Sequence, residues 1–292
     1  MKYSTGSAFR RALEDKILQL HHETGVPVAR YRKLIAFNRF LARLVIADPG
    51  GWVLKGGYLM ELQFKHNART TKDIDLLFRE KRTNIHEILI KASRIKLSDW
   101  FNFQVGNSLA VDQNMEKTIR YPVVSLLDSR TFESFHMDVN ADDILYHEPV
   151  LLDAPTRVSF AEFPSFQIPC YSLPQQIAEK FHALTRVYAN GEVSRVKDLV
   201  DILLIASSTK LVFNDLHKAI TLTFKHRNTH ALPKNAPQLF SIYSKNYVKL
   251  AAQSKLRQMT LLEANLAFDK FITPVLTGSS VNKWNPRLWK WS

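Results

Sequence analysis

The chain is poor in cysteine and in long apolar runs, and each shortage excludes a class of protein. Cys170 is the one cysteine among 292 residues, so a disulfide within the chain is excluded. We interpret this lone thiol as a small buried apolar residue, and it suits a reducing cytoplasm. No stretch reaches the ~18 consecutive apolar residues that a membrane-spanning helix needs. The first residues lack the apolar core of a signal peptide, so we expect a cytoplasmic protein rather than an exported one.

Several familiar binding signatures are missing as well. The ten histidines are scattered along the chain, and none stands at zinc-ligand spacing from a cysteine. The sequence contains no Walker loop, no internal repeat and no low-complexity tract. The sequence therefore gives no indication of a zinc domain, a P-loop NTPase or a repeat protein.

Acidic residues are scarce towards both ends of the chain, which carries a net charge of +13. Residues 207–292 contain 13 Lys and Arg against 3 Asp and Glu, and residues 1–50 contain 9 against 4. The middle of the chain, residues 51–206, has a net charge of −2. Basic flanks of this kind suit a polyanion, most simply a nucleic acid. The alternative is a generally basic surface that aids solubility.

The chemistry is concentrated in two neighbouring stretches. Trp52-Val-Leu-Lys-Gly-Gly-Tyr-Leu-Met60 predicts a short strand that runs into a Gly56-Gly57 turn and a helix start. The backbone of such a turn can approach a phosphate closely, and the helix start offers free N–H groups. In the following Arg69–Phe78 stretch, Asp73 and Asp75 lie on one face of a predicted strand. Paired carboxylates repel unless a cation lies between them, and Mg²⁺ suits oxygen ligands of this type.

The pattern of apolar residues divides the chain into three parts. Residues 1–50 predict a helical segment that packs on the core, residues 51–165 a mixed α/β core, and residues 166–292 a helical domain with a basic surface. The predicted helices are 5–22, 27–47, 57–65, 83–95, 174–188 and 194–207, with more helix within 211–272. The predicted strands are 51–54, 73–78, 101–105, 119–127 and 132–139. On helix 27–47, an apolar stripe at helical spacing leaves Arg30, Lys33 and Arg43 off the stripe.

Asp138 is the candidate for a third carboxylate, because two-metal phosphoryl transfer gains from one more anionic ligand on a neighbouring strand. The other interpretation is a strand-end aspartate that starts a turn, and Asp142 and Asp143 behind it are interpreted as turn residues. Lys180 lies at the edge of an apolar helical stripe. It either projects its ammonium into a cleft or snorkels to the surface.

Asp198 and Asp201 lie three residues apart on a predicted helix that is otherwise apolar. A carboxylate in such a place needs a partner, which Lys180 or Arg195 could supply. A direct catalytic role and a purely structural ion pair between helices both remain open.

The C-terminal part offers two candidate nucleic-acid contacts. Lys245, Lys249, Gln253 and Arg257 recur every four residues and predict one basic or polar helical face, which is either solvated or a track for RNA. The tail Trp284-Asn-Pro-Arg-Leu-Trp-Lys-Trp291 alternates aromatic and basic residues. It could stack on bases, but a strap that packs on the helical domain is favoured.

Three blocks occur in a fixed order: Lys55-Gly56-Gly57, Arg69-x-Thr71-x-Asp73-Ile-Asp75, and Lys180 followed by Arg195-x-Lys-Asp198-x-x-Asp201. This set resembles the AbiEii/AbiGii toxin family, which includes the MenT toxins, within the DNA-polymerase-β-like nucleotidyltransferase superfamily. The resemblance implies an α/β (α+β) fold, with a mixed sheet flanked by helices and a C-terminal helical domain.

The resemblance also implies a metal-dependent nucleotidyltransferase that adds nucleotides from an NTP to an acceptor hydroxyl, most simply a tRNA 3′ end. Mg²⁺ or Mn²⁺ would be the cofactor and a cognate antitoxin the partner. The implied metal ligands are Asp73, Asp75 and Asp138, and Lys180, Asp198 and Asp201 complete the catalytic set. The implied nucleotide-binding residues are Lys55, Gly56, Gly57, Arg69, Thr71 and Lys180. Thr71 is either a site of self-modification or a turn residue.

One departure from the family pattern concerns Tyr58, which stands where relatives frequently have a small hydroxyl residue. A phenol does not fit that space, so the contact to the γ-phosphate is not expected to follow the family. Three alternatives remain: a protein or small-molecule acceptor, phosphate transfer at the same site, and a non-catalytic RNA-binding module.

Overall fold

The computed structural model describes residues 3–79, 84–110, 118–154, 163–186, 195–239, 243–278 and 281–292. Its described residues belong to two compact units. The first draws on Met1–Gln63, Thr70–Asp143 and Pro149–Cys170, and the second on Phe64–Arg69, Ile144–Glu148 and Tyr171–Ser292. Among the described helices, none has the length and apolar character required to cross a membrane.

The first unit is built on a mixed sheet flanked by helices, which confirms the predicted fold class. Its helices are α1 (Gly6–Thr24), α2 (Val28–Ala47), α3 (Gly56–Phe64) and α4 (Ile85–Arg94). Its strands are β1 (Trp52–Lys55), β2 (Asp73–Phe78), β3 (Phe101–Val105), β4 (Leu109–Ala110), β5 (Ile119–Leu127), β6 (Arg130–Asn140), β7 (Val150–Asp153) and β8 (Gln167–Cys170). The strand order is β3-β5-β6-β2-β1-β8-β7, with β4 paired to β5. The sequence did not indicate β4, β7 or β8, and residue 83 of the predicted helix 83–95 lies outside the described residues.

Helix α2 packs on the first unit through aromatic contacts. The ring of Phe37 lies 5.0 Å from that of Tyr58 and 4.9 Å from that of Phe135, both edge-on. Ile74 of β2 is buried, as is Met137, its register partner on β6. Tyr58 is therefore a core residue, which explains why a large ring is tolerated in place of a small hydroxyl.

Several arginines of α2 lie inside the first unit rather than on its surface. Arg30 and Arg43, which the apolar stripe left to one side, are both buried. Arg30 binds Glu61 through Nε at 2.8 Å, while Arg39 and Arg43 both bind Asp99, through Nε at 2.7 Å and Nη2 at 2.6 Å. A buried guanidinium requires such a counter-ion. Part of the basic charge of residues 1–50 is thus neutralised internally.

The β5–β6 hairpin contains a bulge that sets the register of the central strands. Its two-residue turn, Asp128-Ser129, has positive φ at both positions, which suits a tight hairpin. Leu126 pairs with Thr131, but Ser125 pairs with Glu133, so Phe132 is one extra residue on β6. The Ser125 hydroxyl donates to the Glu133 carbonyl at 2.8 Å and accepts from its N–H at 3.0 Å. Nη2 of Arg32 donates to the Phe132 carbonyl at 2.5 Å. The bulge is thus hydrogen-bonded both by Ser125 of β5 and by Arg32 of α2.

The second unit is mainly helical. Its helices are α5 (Leu173–Thr185), α6 (Val196–Ser208), α7 (Phe213–Arg227), α8 (Ser244–Ala251) and α9 (Leu261–Thr277), and its strands are β9 (Leu211–Val212), β10 (Lys283–Asn285) and β11 (Lys290–Trp291). Ser172 caps α5 as predicted, accepting from the Gln175 N–H. Positions 187–188 and 194, at the ends of the predicted helices 174–188 and 194–207, lie outside the described residues.

The C-terminal tail is a strap on this unit. Strands β10 and β11 join β9 in a three-stranded sheet. The indole N–H of Trp284 donates to the Ala206 carbonyl at 2.7 Å, and that of Trp291 donates to the Phe271 carbonyl at 2.7 Å. Both rings are buried, so the packing interpretation of the tail is confirmed over stacking on bases.

The predicted four-residue basic face around α8 is wrong. Lys245 and Lys249 lie on α8, which ends at Ala251, and Gln253 and Arg257 lie in the turns that follow. The basic character of the region is nevertheless at the surface. All 13 Lys and Arg of residues 207–292 are described, and 12 of them are exposed, Arg227 being the half-buried one. Their charge is available to a polyanion in a way that the buried arginines of α2 are not.

Candidate active site

Three predicted site carboxylates lie on one face of two neighbouring strands. Asp73 and Asp75 alternate with the buried Ile74 on β2, and the parallel register sets Asp75 beside Asp138 on β6. The same register sets Asp73 beside His136, whose Nδ1 is 3.5 Å from the Asp73 carboxylate. We call the surface formed by Asp73, Asp75 and Asp138 the acidic face. The two-residue period of the strands and their pairing together produce this group.

A row of four charged residues crosses the acidic face from strand to strand. Lys55 on β1 pairs in register with Asp75 on β2, Asp75 with Asp138 on β6, and Asp138 with Arg120 on β5. The signs along this charge row are positive, negative, negative and positive. The two adjacent carboxylates are therefore flanked by a cation on each side, which offsets their mutual repulsion.

Arg120 holds Asp138 in a two-pronged ion pair. Its Nε donates to Oδ1 and its Nη2 to Oδ2, both at 2.7 Å. The hydrogen bond with Asp138 raises the pKa of Arg120 above its ordinary value, and the charges of Asp138, Asp73 and Asp75 act in the same direction against desolvation. Arg120 thus lies in the electrostatic field of all three acids. In the part of the chain that the structure describes, no set of three His, Cys, Asp or Glu side chains converges tightly enough to hold a metal ion.

The glycine pair is pressed against the acidic face. Gly56 has φ +69°, and a Cβ there would overlap the Asp75 carboxylate. The Gly57 N–H donates to Oδ2 of Asp75 at 3.4 Å, and a Cβ on Gly57 would lie 2.5 Å from the Thr71 hydroxyl oxygen. The Thr71 hydroxyl in turn donates to the Asp73 carbonyl at 3.3 Å. At both positions a side chain is excluded by the residues that carry or support the acids.

Lys55 and the turn after β6 form a second contact beside Asp75. Nζ of Lys55 lies 2.5 Å from Oδ2 of Asp143. The side-chain oxygen of Asn140 accepts from the N–H groups of Asp142 at 2.8 Å and Asp143 at 2.9 Å, so both aspartates are turn residues as predicted. Asp143 additionally fixes the lysine of the first sequence block.

The remaining predicted residues meet in the second unit, between α5 and α6. Nζ of Lys180 is 2.5 Å from Oδ2 of Asp201 and 3.5 Å from Oδ1 of Asp198. Arg69 also binds Asp201, with Nε to Oδ1 at 3.0 Å and Nη2 to Oδ2 at 2.8 Å. Arg195 lies at 3.8 Å from Asp198. Asp201 is thus the shared anchor of Lys180 and Arg69.

Asp201 remains ionised although it is fully buried. Burial alone would raise the pKa of its carboxyl, but the charges and hydrogen bonds of Lys180 and Arg69 lower it overall. Among the described residues of this cluster, Lys180, Arg69 and Arg195 face two carboxylates, so positive charge predominates. Arg69, predicted to bind nucleotide, contributes its guanidinium to this anchor.

Sequence reasoning missed Arg120 and the role of Asp143. Arg120 stands near the start of a predicted strand. Counting residues back from the hairpin turn does not give its true partner. A regular hairpin would set Arg120 opposite Met137, on the other face of the sheet. The extra residue at Phe132 shifts the pairing by one and sets Arg120 opposite Asp138.

Comparison with known proteins gives one family and a set of distant structural neighbours. A family model described as "Nucleotidyl transferase AbiEii toxin, Type IV TA system" matches residues 39–275, a range that includes all the residues of the acidic face and of the Lys180 cluster. No curated protein sequence matches the chain. The crystal structure of JHP933 from Helicobacter pylori is 16% identical, covers 85% of this chain and 94% of its own, and has a TM-score of 0.46. A second H. pylori crystal structure, provisionally assigned as a nucleotidyltransferase, is 18% identical. The match covers 84% of this chain and 96% of the other chain, with a TM-score of 0.45.

Proposed function

Because the chain belongs to the AbiEii family of nucleotidyltransferase toxins from type IV toxin–antitoxin systems, we propose that it transfers nucleotides from a nucleoside triphosphate to the 3′ end of a tRNA. The observation that carries the proposal is the register of β2 and β6. It sets Asp75 beside Asp138 and keeps Asp73 on the same face. Carboxylates grouped in this way serve phosphoryl chemistry by positioning and charge stabilisation.

A divalent cation, Mg²⁺ or Mn²⁺, fits the chemistry of the acidic face. Asp73, Asp75 and Asp138 offer hard oxygen donors from one surface, which is the ligand type that these ions prefer. The three do not converge as a complete ligand set among the described residues, so the triphosphate and water would supply the remaining oxygens. The pairing of two carboxylates side by side, Asp75 and Asp138, with the cationic Arg120 at 2.7 Å from Asp138, supports the fit. When bound, such a cation supplies charge neutralisation at the phosphates and activation of the attacking hydroxyl.

The proposed roles of the chain's own residues follow from their contacts. Asp73 and Asp75 would hold a cation at the triphosphate, and Asp138 would do so at the attacking oxygen. The Gly57 N–H orients the Asp75 carboxylate. Lys180 is assigned to the phosphates because the family match includes its block, and its contact with Asp201 holds the ammonium in place. Because Asp201 binds both Lys180 and Arg69, its role is to position them.

The proposed acceptor and partner are supported by charge and by family. The second unit exposes 12 of the 13 basic side chains of residues 207–292, and an RNA backbone is the simplest polyanion to meet them. Toxins of this family are paired with antitoxins, so we infer a cognate antitoxin protein as the partner.

The test is incubation of the protein with α-labelled nucleoside triphosphates and total tRNA. Wild type should label tRNA, and Asp75→Asn should lower the rate by about 100-fold or more, since a carboxylate that would hold the cation at the reacting phosphates is lost. Asp153→Asn is the matched control, because this aspartate is exposed on β7 and should leave the rate unchanged.

The alternatives predict other labels. Label that enters only protein would contradict the tRNA acceptor and favour protein modification. Transfer of γ-label in place of α-label would indicate phosphate transfer. Toxicity and RNA binding that survive Asp73→Asn and Asp75→Asn, with no label anywhere, would indicate a non-catalytic RNA-binding module.

A further inference from the structure

Arg120, like Lys55 at the other end of the charge row, has no part in the roles assigned above. Its guanidinium takes both carboxylate oxygens of Asp138, the acid assigned to the attacking oxygen. The arginine side chain is 30% exposed and the aspartate 17% exposed, so the pair is reachable from solvent. A two-pronged pair of this kind is stronger and more directional than a single contact.

This pair and a divalent cation would compete for the same atoms. The arginine takes one lone pair of each Asp138 oxygen, so a cation that approaches the carboxylate along those lone pairs must displace Arg120. The other end of the charge row differs, because Lys55 has the carboxylate of Asp143 as a partner at 2.5 Å. The Lys55 ammonium thus has a counter-ion outside the acidic face, and the Arg120 guanidinium pairs with an acid of the face itself.

Resting on the proposed function, we propose that Arg120 is a positioning residue that holds Asp138 in place until a divalent cation displaces it. The guanidinium keeps the third carboxylate oriented in register beside Asp75 and prevents repulsion from moving the two acids apart. Its displacement sets the affinity of the acidic face for the cation. The register shift at the β5–β6 bulge is what gives Arg120 this position.

The test measures Mn²⁺ binding by calorimetry and by the Mn²⁺ electron paramagnetic resonance signal, without nucleotide. Arg120→Gln should bind Mn²⁺ roughly five-fold more tightly than wild type, because a surface ion pair of about 1 kcal/mol no longer has to be broken. Arg120→Lys should also bind more tightly, because an ammonium keeps the charge but cannot grip both oxygens. Melting temperatures verify that each variant is folded.

Two results would overturn the inference. The first is an unchanged Mn²⁺ affinity in Arg120→Gln. The second is tighter binding in Arg120→Gln with an unchanged affinity in Arg120→Lys. That result would show that the positive charge, and not the two-pronged hydrogen bonding of the guanidinium, controls the affinity. A double-mutant cycle adds an independent readout. In an Asp138→Asn background, Arg120→Gln should no longer change the affinity, whereas a general field effect would persist.

Asp75→Asn separates the fate of this inference from that of the proposed function. If Asp75→Asn weakens Mn²⁺ binding but Arg120→Gln leaves it unchanged, the proposed displacement of Arg120 is wrong and the proposed nucleotidyltransferase site is retained. If Mn²⁺ binding is unaffected by Asp75→Asn, the cation does not bind at the acidic face, and both are overturned.

Discussion

The ammonium of Lys180 lies 2.5 Å from Oδ2 of Asp201, and both side chains are buried. Lys180 also lies 3.5 Å from Asp198, and the same Asp201 carboxylate accepts two hydrogen bonds from Arg69. The sequence left open which of the two aspartates matters more. In the structure Asp201 lies closer to its two cations, Lys180 and Arg69, than Asp198 lies to Lys180 and Arg195, so the position of Lys180 depends chiefly on Asp201.

Replacing the two aspartates in turn measures this difference. Asp201→Asn should lower the free energy of unfolding by about 3–5 kcal/mol, because it leaves Lys180 and Arg69 without a buried counter-ion. Asp198→Asn should cost about 1–2 kcal/mol, since its contacts are longer. Urea denaturation at neutral pH gives both values. Equal losses would contradict the assignment of Asp201 as the anchor.

Gly56→Ala tests the contact between the glycine pair and the acidic face. The substitution places a Cβ at φ +69° and into the Asp75 carboxylate. Gly25→Ala is the matched control, because Gly25 has φ +71° and a Cβ added there would meet no atom within 4 Å. Both should lose about 1–2 kcal/mol of stability from the left-handed backbone. Only Gly56→Ala should also abolish nucleotidyl transfer. The assay uses the labelled triphosphate, and circular dichroism verifies beforehand that each variant is folded.

The buried Asp99 makes the stability of the first unit depend on pH. Burial alone would raise the pKa of its carboxyl, but the hydrogen bonds and charges of Arg43 and Arg39 lower it overall. A depressed pKa adds stability above the ordinary value of about 3.9, and this stability is lost as the pH falls through the lower folded value. The difference in unfolding free energy between wild type and Asp99→Asn should therefore be largest near pH 7.

Urea unfolding at pH 7 and at pH 3 measures this effect. At neutral pH the variant should be less stable by about 3–5 kcal/mol, because two buried arginines lose their partner. At pH 3 the gap should be smaller. A gap that stays constant or widens on acidification would show that the charge of Asp99 is not what stabilises the pair of arginines.

The exposed lysines of α8 test the RNA interpretation through salt dependence. Lys245→Gln combined with Lys249→Gln should weaken tRNA binding about three- to ten-fold and lower the slope of log affinity against log salt by about 2. Arg11→Gln combined with Lys16→Gln removes the same charge from α1 of the first unit. Filter binding or fluorescence anisotropy measures the affinity of each double variant for tRNA. Equal weakening by both pairs of substitutions would mean that binding depends on net charge rather than on the C-terminal surface.

Local patterns identified the acids of the acidic face but not the arginine that pairs with Asp138. The alternation of Asp73 and Asp75 with Ile74 and Leu76 follows from the two-residue period of a strand, which is readable without any tertiary contact. Arg120 depends on a pairing across 18 residues and on a bulge within it. Neither leaves a signal in the sequence of β5 alone, so the ion pair with Asp138 was not foreseen.

Distance along the chain explains the other errors too. Arg39 and Arg43 bind Asp99 at separations of 60 and 56 residues, so the sequence of α2 did not indicate these buried ion pairs. The four-residue recurrence of polar residues continues to Arg257, although α8 ends at Ala251. The backbone there is instead held by a tertiary contact, in which the Lys255 N–H donates to the Asn67 carbonyl at 3.1 Å. Tertiary contacts of this kind override a periodic pattern.

The extra residue at Phe132 means that the pairing of one hairpin decides which chemistry surrounds Asp138. If the same sequence paired without the bulge, every side chain of β5 from Ile119 to Ser125 would meet a different neighbour on β6. Asp138 would then exchange a guanidinium for the apolar side chain of Ile119, although no residue had been substituted. Substitutions that destabilise the bulge are thus changes to the electrostatics of the acidic face, even when they lie far from any carboxylate.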